Sequence, residues 1–115
     1  MGIKIINIKI MRGDSKEIII SIVEENETPV PFRLGDIVYF TVKRSSETNE
    51  KLLQKVITEF DKNGHAHVEI KPEDTRNIKP RKGGYLYDVQ VTFKDGTIKT
   101  IIKGNFAIEG DITHE

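Results

Sequence analysis

The regular alternation of apolar and polar residues is the feature that most constrains how this chain can fold. Most apolar segments are short, rich in isoleucine, valine, phenylalanine and tyrosine, and repeat at every second residue. This period places the apolar side chains on one face of a β-strand, whereas a helix needs a period near 3.6. The residues predicted to share a face are Ile6, Ile8 and Ile10; Ile18, Ile20 and Ile22; Val38, Phe40 and Val42; Val56, Thr58 and Phe60; Ala66, Val68 and Ile70; and Tyr85, Tyr87, Val89, Val91 and Phe93. Together with apolar runs at 98–102 and 105–109, these sets indicate a mainly β protein.

Turn residues separate the predicted strands. The segments 61–64 (Asp-Lys-Asn-Gly) and 94–96 (Lys-Asp-Gly) end in a glycine that can supply the positive φ of a tight hairpin. The segments 25–29 and 33–36 are polar connections that contain proline or glycine. Residues 72–77 predict at most one short helical turn, because proline suits the first helical position and acidic residues suit the first turn.

One segment, 47–60, offers a helical alternative to the β interpretation. The apolar residues near helical spacing in it are Leu52, Leu53, Val56 and Phe60. β-Branched residues dominate elsewhere and favour strands. Because the 115 residues contain no internal repeat or linker, we predict a single domain over residues 1–115. About eight short antiparallel strands in one domain indicate a sandwich or a small barrel.

The segment that leads into Tyr85 favours the sandwich. A turn at 79–84, containing proline and two glycines, is followed by Tyr85 at the start of the longest predicted strand. This order resembles the tyrosine corner of immunoglobulin-like sandwiches, in which the phenol hydroxyl bonds to backbone a few residues upstream. We therefore predict an all-β, immunoglobulin-like antiparallel β-sandwich of about eight strands. The candidate corner and its strand comprise Gly84, Tyr85, Tyr87 and Asp88.

The tripeptide Arg12-Gly13-Asp14 is the adhesion sequence that integrins recognise, but its position favours a structural role. An integrin ligand needs the tripeptide at the tip of a protruding loop. Here it lies directly between two isoleucine-rich predicted strands, which leaves room for a short turn. Glycine suits the bend, and an aspartate side chain can bond to nearby backbone. We interpret Arg12, Gly13 and Asp14 as a structural turn motif.

The charge balance and composition exclude several classes of protein. Lysine plus arginine number 18 and aspartate plus glutamate number 18. Nucleic-acid-binding domains usually carry a surplus of positive charge, so we predict no nucleic-acid partner. The segment 71–84 has five basic residues and could meet an acidic partner, but a solvated connection with long cationic side chains lying over apolar surface explains it better. No apolar run approaches the roughly 18 residues that a membrane helix needs, so we expect no membrane insertion. We expect the protein to be made in the cytoplasm. The chain has no cysteine for a disulfide or a zinc–thiolate site.

His65, His67 and Glu69 are the candidate metal ligands. They alternate, so on a strand they would point to one face, and two imidazoles with a carboxylate can hold a divalent metal. The opposite face carries Ala66 and Val68, so the histidine face is expected to be solvated. The sequence contains no phosphate-binding glycine loop or nucleophile elbow. We predict no metal, no cofactor and no catalytic residues.

Several motifs, taken in order, resemble those of one family. Arg-Gly-Asp near the start is followed by an alternating strand, then by Asp74-Thr75 in a turn, then by Gly-Tyr-x-Tyr-Asp-x-Gln at 84–90. Further positions of the pattern are occupied by Gly96, Thr100, Gly104 and Thr113. Over about residues 10–113, this order resembles the small tail or baseplate modules of bacteriophages and prophages, including the N-terminal domain of baseplate upper proteins.

The resemblance implies a non-enzymatic structural component of a phage or prophage tail or baseplate. Such a protein would be made in the bacterial cytoplasm, reside in the virion tail and contact other tail or baseplate proteins, with self-association left open. Tyr39, Tyr85 and Tyr87 are the aromatic residues that could anchor a partner. The alternative is a carbohydrate-binding β-sandwich module, which would need exposed aromatic rings, yet the chain has no tryptophan and 7% aromatic residues.

Overall fold

The computed structural model describes residues 3–45, 47 and 49–110, so Thr113 of the ordered motifs lies outside the described residues. Within these ranges the chain forms ten strands and one short helix. In chain order they are β1 (Lys4–Ile5), β2 (Ile8–Met11), β3 (Lys16–Ile20), β4 (Ile22–Val23), β5 (Pro29–Val30), β6 (Ile37–Lys43), β7 (Lys51–Ile57), β8 (Ala66–Ile70), α1 (Pro72–Arg76), β9 (Tyr85–Thr92) and β10 (Ile98–Glu109). The prediction of an all-β sandwich with one short helical turn is confirmed.

A large mixed sheet forms one layer of the sandwich. Its order is β1-β10-β9-β6-β7, and β2 also pairs with β10. The pairs β10–β9, β9–β6 and β6–β7 are antiparallel, as the sequence predicted. The pairs β1–β10 and β2–β10 are parallel, which the prediction of a purely antiparallel sandwich missed. Parallel neighbours need a long crossover connection, and here almost the whole chain lies between them.

Two small sheets complete the fold, and the core lies between the large sheet and the antiparallel pair β3–β8. The other small sheet is the antiparallel pair β4–β5. The alternating residues of β6 and β8 point into the core and are fully buried: Val38, Phe40, Val42, Ala66, Val68 and Ile70. The alternation in these two strands therefore predicted the buried face correctly.

The helical alternative for 47–60 is wrong, because Lys51–Ile57 forms strand β7 beside β6. In this register Val56 lies opposite Tyr39 on the outer face and is 53% exposed. The strand ends at Ile57, so the predicted set that continued to Phe60 is also interrupted. Phe60 instead stacks on Phe32 with ring centroids 5.1 Å apart. β9 pairs with one edge of β6, and the backbone of residues 51–57 pairs with the other edge. These tertiary hydrogen bonds outweigh the helical spacing of the apolar residues in this segment.

The predicted N-terminal strand over residues 3–11 is divided into β1 and β2. Ile10 is buried and Ile8 is half-buried, as expected from their shared face. Ile6 lies at the break between the strands and is 44% exposed. The local alternation therefore predicted the direction of β2 but not the interruption before it.

The two glycine turns have different roles. Gly64 and Gly96 both have positive φ, at 74° and 92°, as predicted. The turn 94–96 joins the paired strands β9 and β10 and is a hairpin. The turn 61–64 joins β7 of the large sheet to β8 of the small sheet, so it is a crossover between layers rather than the predicted hairpin.

Candidate functional site

The Arg12-Gly13-Asp14 turn passes the chain from the large sheet to the small one, since it joins β2 to β3. The Arg12 N–H donates to the Glu109 carbonyl at 2.8 Å, which extends the β2–β10 ladder by one residue. The Asp14 N–H donates to the Met11 carbonyl at 3.1 Å and closes the turn. Gly13 has a φ of 87°, a conformation that favours glycine.

The same turn is attached to helix α1. The Gly13 N–H donates to Thr75 Oγ1 at 2.9 Å, although the two residues are 62 positions apart, and Thr75 is fully buried. Arg12 and Gly13 are themselves half-buried. Two motifs that lie far apart in the sequence, Arg-Gly-Asp and Asp-Thr, therefore meet at one end of the sandwich, where they hold the chain in place.

Helix α1 is attached in turn to the edge strand β7. The Asp74 carboxylate lies 2.7 Å from Lys55 Nζ and also accepts the Lys71 N–H at 2.7 Å. Burial of Asp74 opposes its ionisation, but the hydrogen bonds from Lys55 and Lys71 outweigh burial and lower its pKa. This pair is partly buried and joins the two layers along one side of the sandwich.

Tyr85 makes the contact that a tyrosine corner predicts. Its hydroxyl donates to the Lys79 carbonyl upstream, and its ring is buried. The Arg81 guanidinium lies 5.7 Å from the centre of that ring, within the range of a cation–π interaction. Arg81 Nη1 also donates to the Arg44 carbonyl at 2.8 Å. These contacts join the turn 79–84 to β9 and to the end of β6.

Tyr87 fixes the break between β1 and β2. It is buried against Phe40, and its hydroxyl donates to the Ile6 carbonyl at 2.7 Å. Burial raises the pKa of Tyr87 to about 12. Gly104 permits the close approach of this segment, because a Cβ atom there would lie 2.1 Å from the Ile6 carbonyl oxygen. Tyr85 and Tyr87 are therefore core residues and are not available as partner anchors.

His67 is held between two carboxylates. Its Nε2 lies 2.7 Å from Asp61 Oδ2 and its Nδ1 lies 3.3 Å from Glu17 Oε2. Hydrogen bonds to Asp61 and Glu17 raise the pKa of His67. Asp61 also accepts the N–H groups of Asn63 and His65, and the bonds from His65 and His67 lower the pKa of Asp61 to about 2.

The three candidate metal ligands do not all lie on the same strand. His67 and Glu69 lie on the exposed face of β8, whereas His65 precedes the strand. Within the described residues, no group of three or more His, Cys, Asp or Glu side chains is placed to hold a metal ion. The partners of His67 come from the preceding turn and from β3, which residue spacing within β8 could not show.

Asp36 is a structural residue that the sequence analysis missed. It is buried, and its two carboxylate oxygens accept the N–H groups of Arg33 and Lys94, each at 2.9 Å. It therefore ties the connection before β6 to the β9–β10 hairpin. The sequence signal was an aspartate directly after Gly35 in a turn, which is typical of an aspartate that bonds to nearby backbone.

The outer face of the large sheet carries an open groove of about 620 Å³. One row of cross-strand neighbours crosses it through Ile5, Lys103, Asp88 and Thr41, and continues to Gln54 in an adjoining cavity. Gln54 Nε2 donates to Thr41 Oγ1 at 3.0 Å, so the β7 end of the row is already hydrogen-bonded. Burial raises the pKa of the half-buried Asp88, and the nearby Lys43 opposes that shift.

The margins of this groove are apolar. Ile5, which is 72% exposed, lies at one end with Ile3 and Leu86 nearby. Tyr39 is half-buried in an adjoining cavity on the same face. The groove thus combines a polar centre with alkyl edges, and Tyr39 is the candidate anchor that lies on this face.

No protein-family model matches this chain, and no curated protein matches it significantly. Across the part of the chain that the structure describes, no helix has the length and apolar character needed to cross a membrane.

Proposed function

We propose that this chain is a non-enzymatic structural module of a phage or prophage tail or baseplate, acting through contacts with neighbouring tail proteins. The observation that supports this proposal most strongly is the open groove on the outer face of the large sheet. Exposed isoleucines at its margin and a polar row through its centre suit a protein interface, in which apolar anchors lie beside hydrogen-bonding groups.

The way the fold is held together also suits a scaffold. The Gly13–Thr75, Lys55–Asp74 and Tyr87–Ile6 contacts each join segments that are distant in the sequence. A domain restrained in this way can bind its neighbours with little change in its backbone and hold them at fixed positions. The tail context itself comes from the ordered motifs, of which Arg-Gly-Asp and Asp-Thr form one contact in space.

The carbohydrate-binding alternative receives less support from the structure. The eight aromatic residues all lie in the described ranges, and each is buried or half-buried. Stacking on a sugar ring needs an exposed aromatic face. We therefore favour protein–protein contact over carbohydrate binding as the function of this chain.

The proposal is tested in the bacterium that carries the gene. An epitope-tagged copy of the chain is expressed, the prophage is induced, and particles are purified by density gradient and analysed by mass spectrometry. We expect the chain in the particles and antibody label at the tail. Particles that assemble with normal tails and lack the chain would overturn the proposal.

Two matched variants test the groove. Ile5→Glu places a charge at the groove margin, whereas Leu34→Glu changes a residue that is 88% exposed in the turn before β6. We expect Ile5→Glu to reduce incorporation about tenfold, the equivalent of about 1.4 kcal/mol, and Leu34→Glu to leave it unchanged. Equal incorporation of both variants would exclude this face as the contact surface.

A further inference from the structure

The turn 61–64 contains the only asparagine of the sequence that is followed by glycine, Asn63-Gly64. Asparagine is a chemically labile residue, because its side-chain carboxamide can react with the backbone nitrogen of the next residue. Glycine permits this reaction best, since it has no side chain to obstruct the approach. Asn63 is exposed to solvent. The turn therefore holds a candidate site of covalent modification.

Hydrogen bonds within the turn restrain the nitrogen that would react. The Gly64 N–H donates to the Asp61 carbonyl at 2.9 Å. The Asp61 carboxylate accepts the N–H groups of Asn63 and His65, at 2.8 Å and 3.0 Å. The reaction needs the Gly64 nitrogen to lose its proton and to approach the Asn63 carboxamide, so its bond to Asp61 has to break first. The turn must therefore open locally before the residue is modified.

Gly64 is also docked on the segment that precedes β6. It is buried, and its carbonyl accepts the Phe32 N–H at 2.9 Å. A Cβ atom on Gly64 would lie 2.3 Å from Pro31 Cβ, so the backbone of the turn packs directly on the proline. Phe32 is supported in turn by the ring of Phe60, which stacks on it. Opening of the turn therefore requires Gly64 to detach from residues 31–32.

We propose that Asn63 is a site of spontaneous deamidation, protected while the turn 61–64 is docked on residues 31–32 and reactive when the turn detaches. In the open turn the Gly64 nitrogen forms a bond to Asn63 Cγ, and the side-chain nitrogen takes the displaced proton and leaves as ammonia. Water then opens the resulting cyclic succinimide. Cleavage between nitrogen and Cγ yields aspartate, whereas cleavage between nitrogen and the α-carbonyl carbon yields isoaspartate. This inference is independent of the proposed function.

The two products differ in whether the turn can dock again. Isoaspartate carries the backbone through Cβ and Cγ, so the chain between residues 63 and 64 is longer by a carbon atom. Gly64 has no room for this displacement, because even an added Cβ would overlap Pro31. The bonds from Gly64 to Asp61 and Phe32 are therefore not restored in isoaspartate. The aspartate product has a normal backbone and docks as before.

An exposed turn elsewhere in the chain, at Asn26-Glu27, provides a matched comparison. The Glu27 N–H donates to the Glu24 carbonyl at 2.8 Å, and Glu27 has a φ of 66°, close to the 74° of Gly64. The side chain of Glu27 obstructs the approach to its nitrogen, so Asn26 should not react. Glu27→Gly removes the obstruction in a turn that is exposed, and should make Asn26 react faster than Asn63.

The test is incubation of the full chain at mildly alkaline pH in water enriched in oxygen-18, followed by peptide mapping with mass spectrometry. Because water opens the succinimide, a modified chain retains a heavy oxygen at residue 63. In the folded chain we expect modification at Asn63 and not at Asn26, at a rate about tenfold below that of the same chain unfolded in guanidinium chloride. The inference is overturned if the folded chain stays unmodified while the unfolded chain reacts completely, or if the two rates are equal.

Two variants test whether docking controls the rate. Phe60→Leu replaces the ring that supports Phe32 and should raise the rate at Asn63 severalfold. Tyr87→Phe, which removes a hydroxyl bonded to the Ile6 carbonyl in a different part of the sandwich, should leave that rate unchanged. Urea denaturation of both variants establishes that they are folded under the conditions of the incubation. Equal rates in the two variants would show that docking on residues 31–32 does not protect Asn63.

The products themselves test the release of the turn. The isoaspartate form, separated by chromatography and identified by enzymatic methylation, should show faster hydrogen exchange than the native chain at Phe32 and His65. Asn63→Asp reproduces the added charge on a normal backbone and should keep the native exchange. If the isoaspartate form and Asn63→Asp exchanged equally at Phe32, modification would not release the turn.

Discussion

The two long sides of the sandwich are closed in different ways. On the α1 side, the Lys55–Asp74 pair bridges the layers and buried Thr75 holds the Gly13 turn. On the N-terminal side, the segment 6–9 and strand β3 face each other across a cavity. The hydrogen bond from the Tyr87 hydroxyl to the Ile6 carbonyl holds this segment in place. The comparison shows that the alternation of apolar and polar residues predicts the two layers of strands but not the contacts that join the layers at their sides. That depends on single long-range contacts between segments outside the central strands.

The largest expected effect comes from Gly104→Ala, which acts on the N-terminal side. The added methyl group would lie 2.1 Å from the Ile6 carbonyl, so the segment must move away from β10. We expect a loss of about 2–3 kcal/mol in the free energy of unfolding, measured by urea denaturation. Hydrogen exchange should rise at β1 and residues 6–9 while β7 and α1 stay protected. A uniform rise across the chain would remove the distinction between the two sides.

Thr75→Val tests the α1 side. Valine keeps the shape of threonine but leaves the Gly13 N–H without its buried acceptor, which should cost about 2 kcal/mol. Thr58→Val, at an exposed position, is the matched control and should change stability by less than about 0.5 kcal/mol. If both variants had the same stability, the contact between the turn and α1 would not be what closes this side.

Tyr87→Phe makes a finer change on the N-terminal side, because it removes the hydroxyl and keeps the ring in the core. Loss of the bond to the Ile6 carbonyl should cost about 1 kcal/mol and loosen residues 6–9 without altering β9. Thermal unfolding and amide exchange of the variant measure the two effects. Unchanged exchange at residues 6–9 would show that Gly104 packing, not the hydroxyl, holds the segment.

The smallest expected effect is the pH dependence of the His67 cluster, which belongs to neither side. The pKa of His67 is raised from 6.5, so its contribution is complete below pH 6.5 and is lost as pH rises through the raised value. The pKa of Asp61 is lowered from 3.8 to about 2, so its contribution is complete above pH 3.8 and is lost as pH falls towards 2.

The difference in Tm between the native chain and His67→Gln should therefore be greatest between pH 3.8 and 6.5 and should shrink at higher pH. Because these groups are solvent-accessible, added salt should reduce the difference. A Tm difference that does not shrink as the pH rises through the raised pKa of His67 would assign the effect of the substitution to packing instead of charge.

The sequence was most informative where a strand is covered on one whole face. In β6 and β8 every inward residue is apolar and fully buried, so alternation alone identified the core. The corner at Tyr85 was likewise visible, because its turn and its tyrosine are close in the sequence. The sequence pattern predicts the tertiary structure correctly where the residues in contact lie close together in the sequence.

The sequence was least informative where contacts join distant segments. The break at Ile6 depends on Tyr87, 81 residues away, and on the absence of a side chain at Gly104. Thr75 follows two acidic residues in a short turn, a context that gives no sign of complete burial. For the groove on the outer face, the alternation identified polar outward residues but not the concave shape that the N-terminal segment gives to its margin.

The parallel alignment of β1 and β2 with β10 has a mechanical consequence. A pull that separates Lys4 from Glu109 along the strand axis loads the hydrogen bonds of both pairs in shear, so that they must break together. Antiparallel hairpins pulled at their open ends instead unzip one bond at a time. The first and last described strands therefore form a mechanical clamp that resists tension along the strand axis.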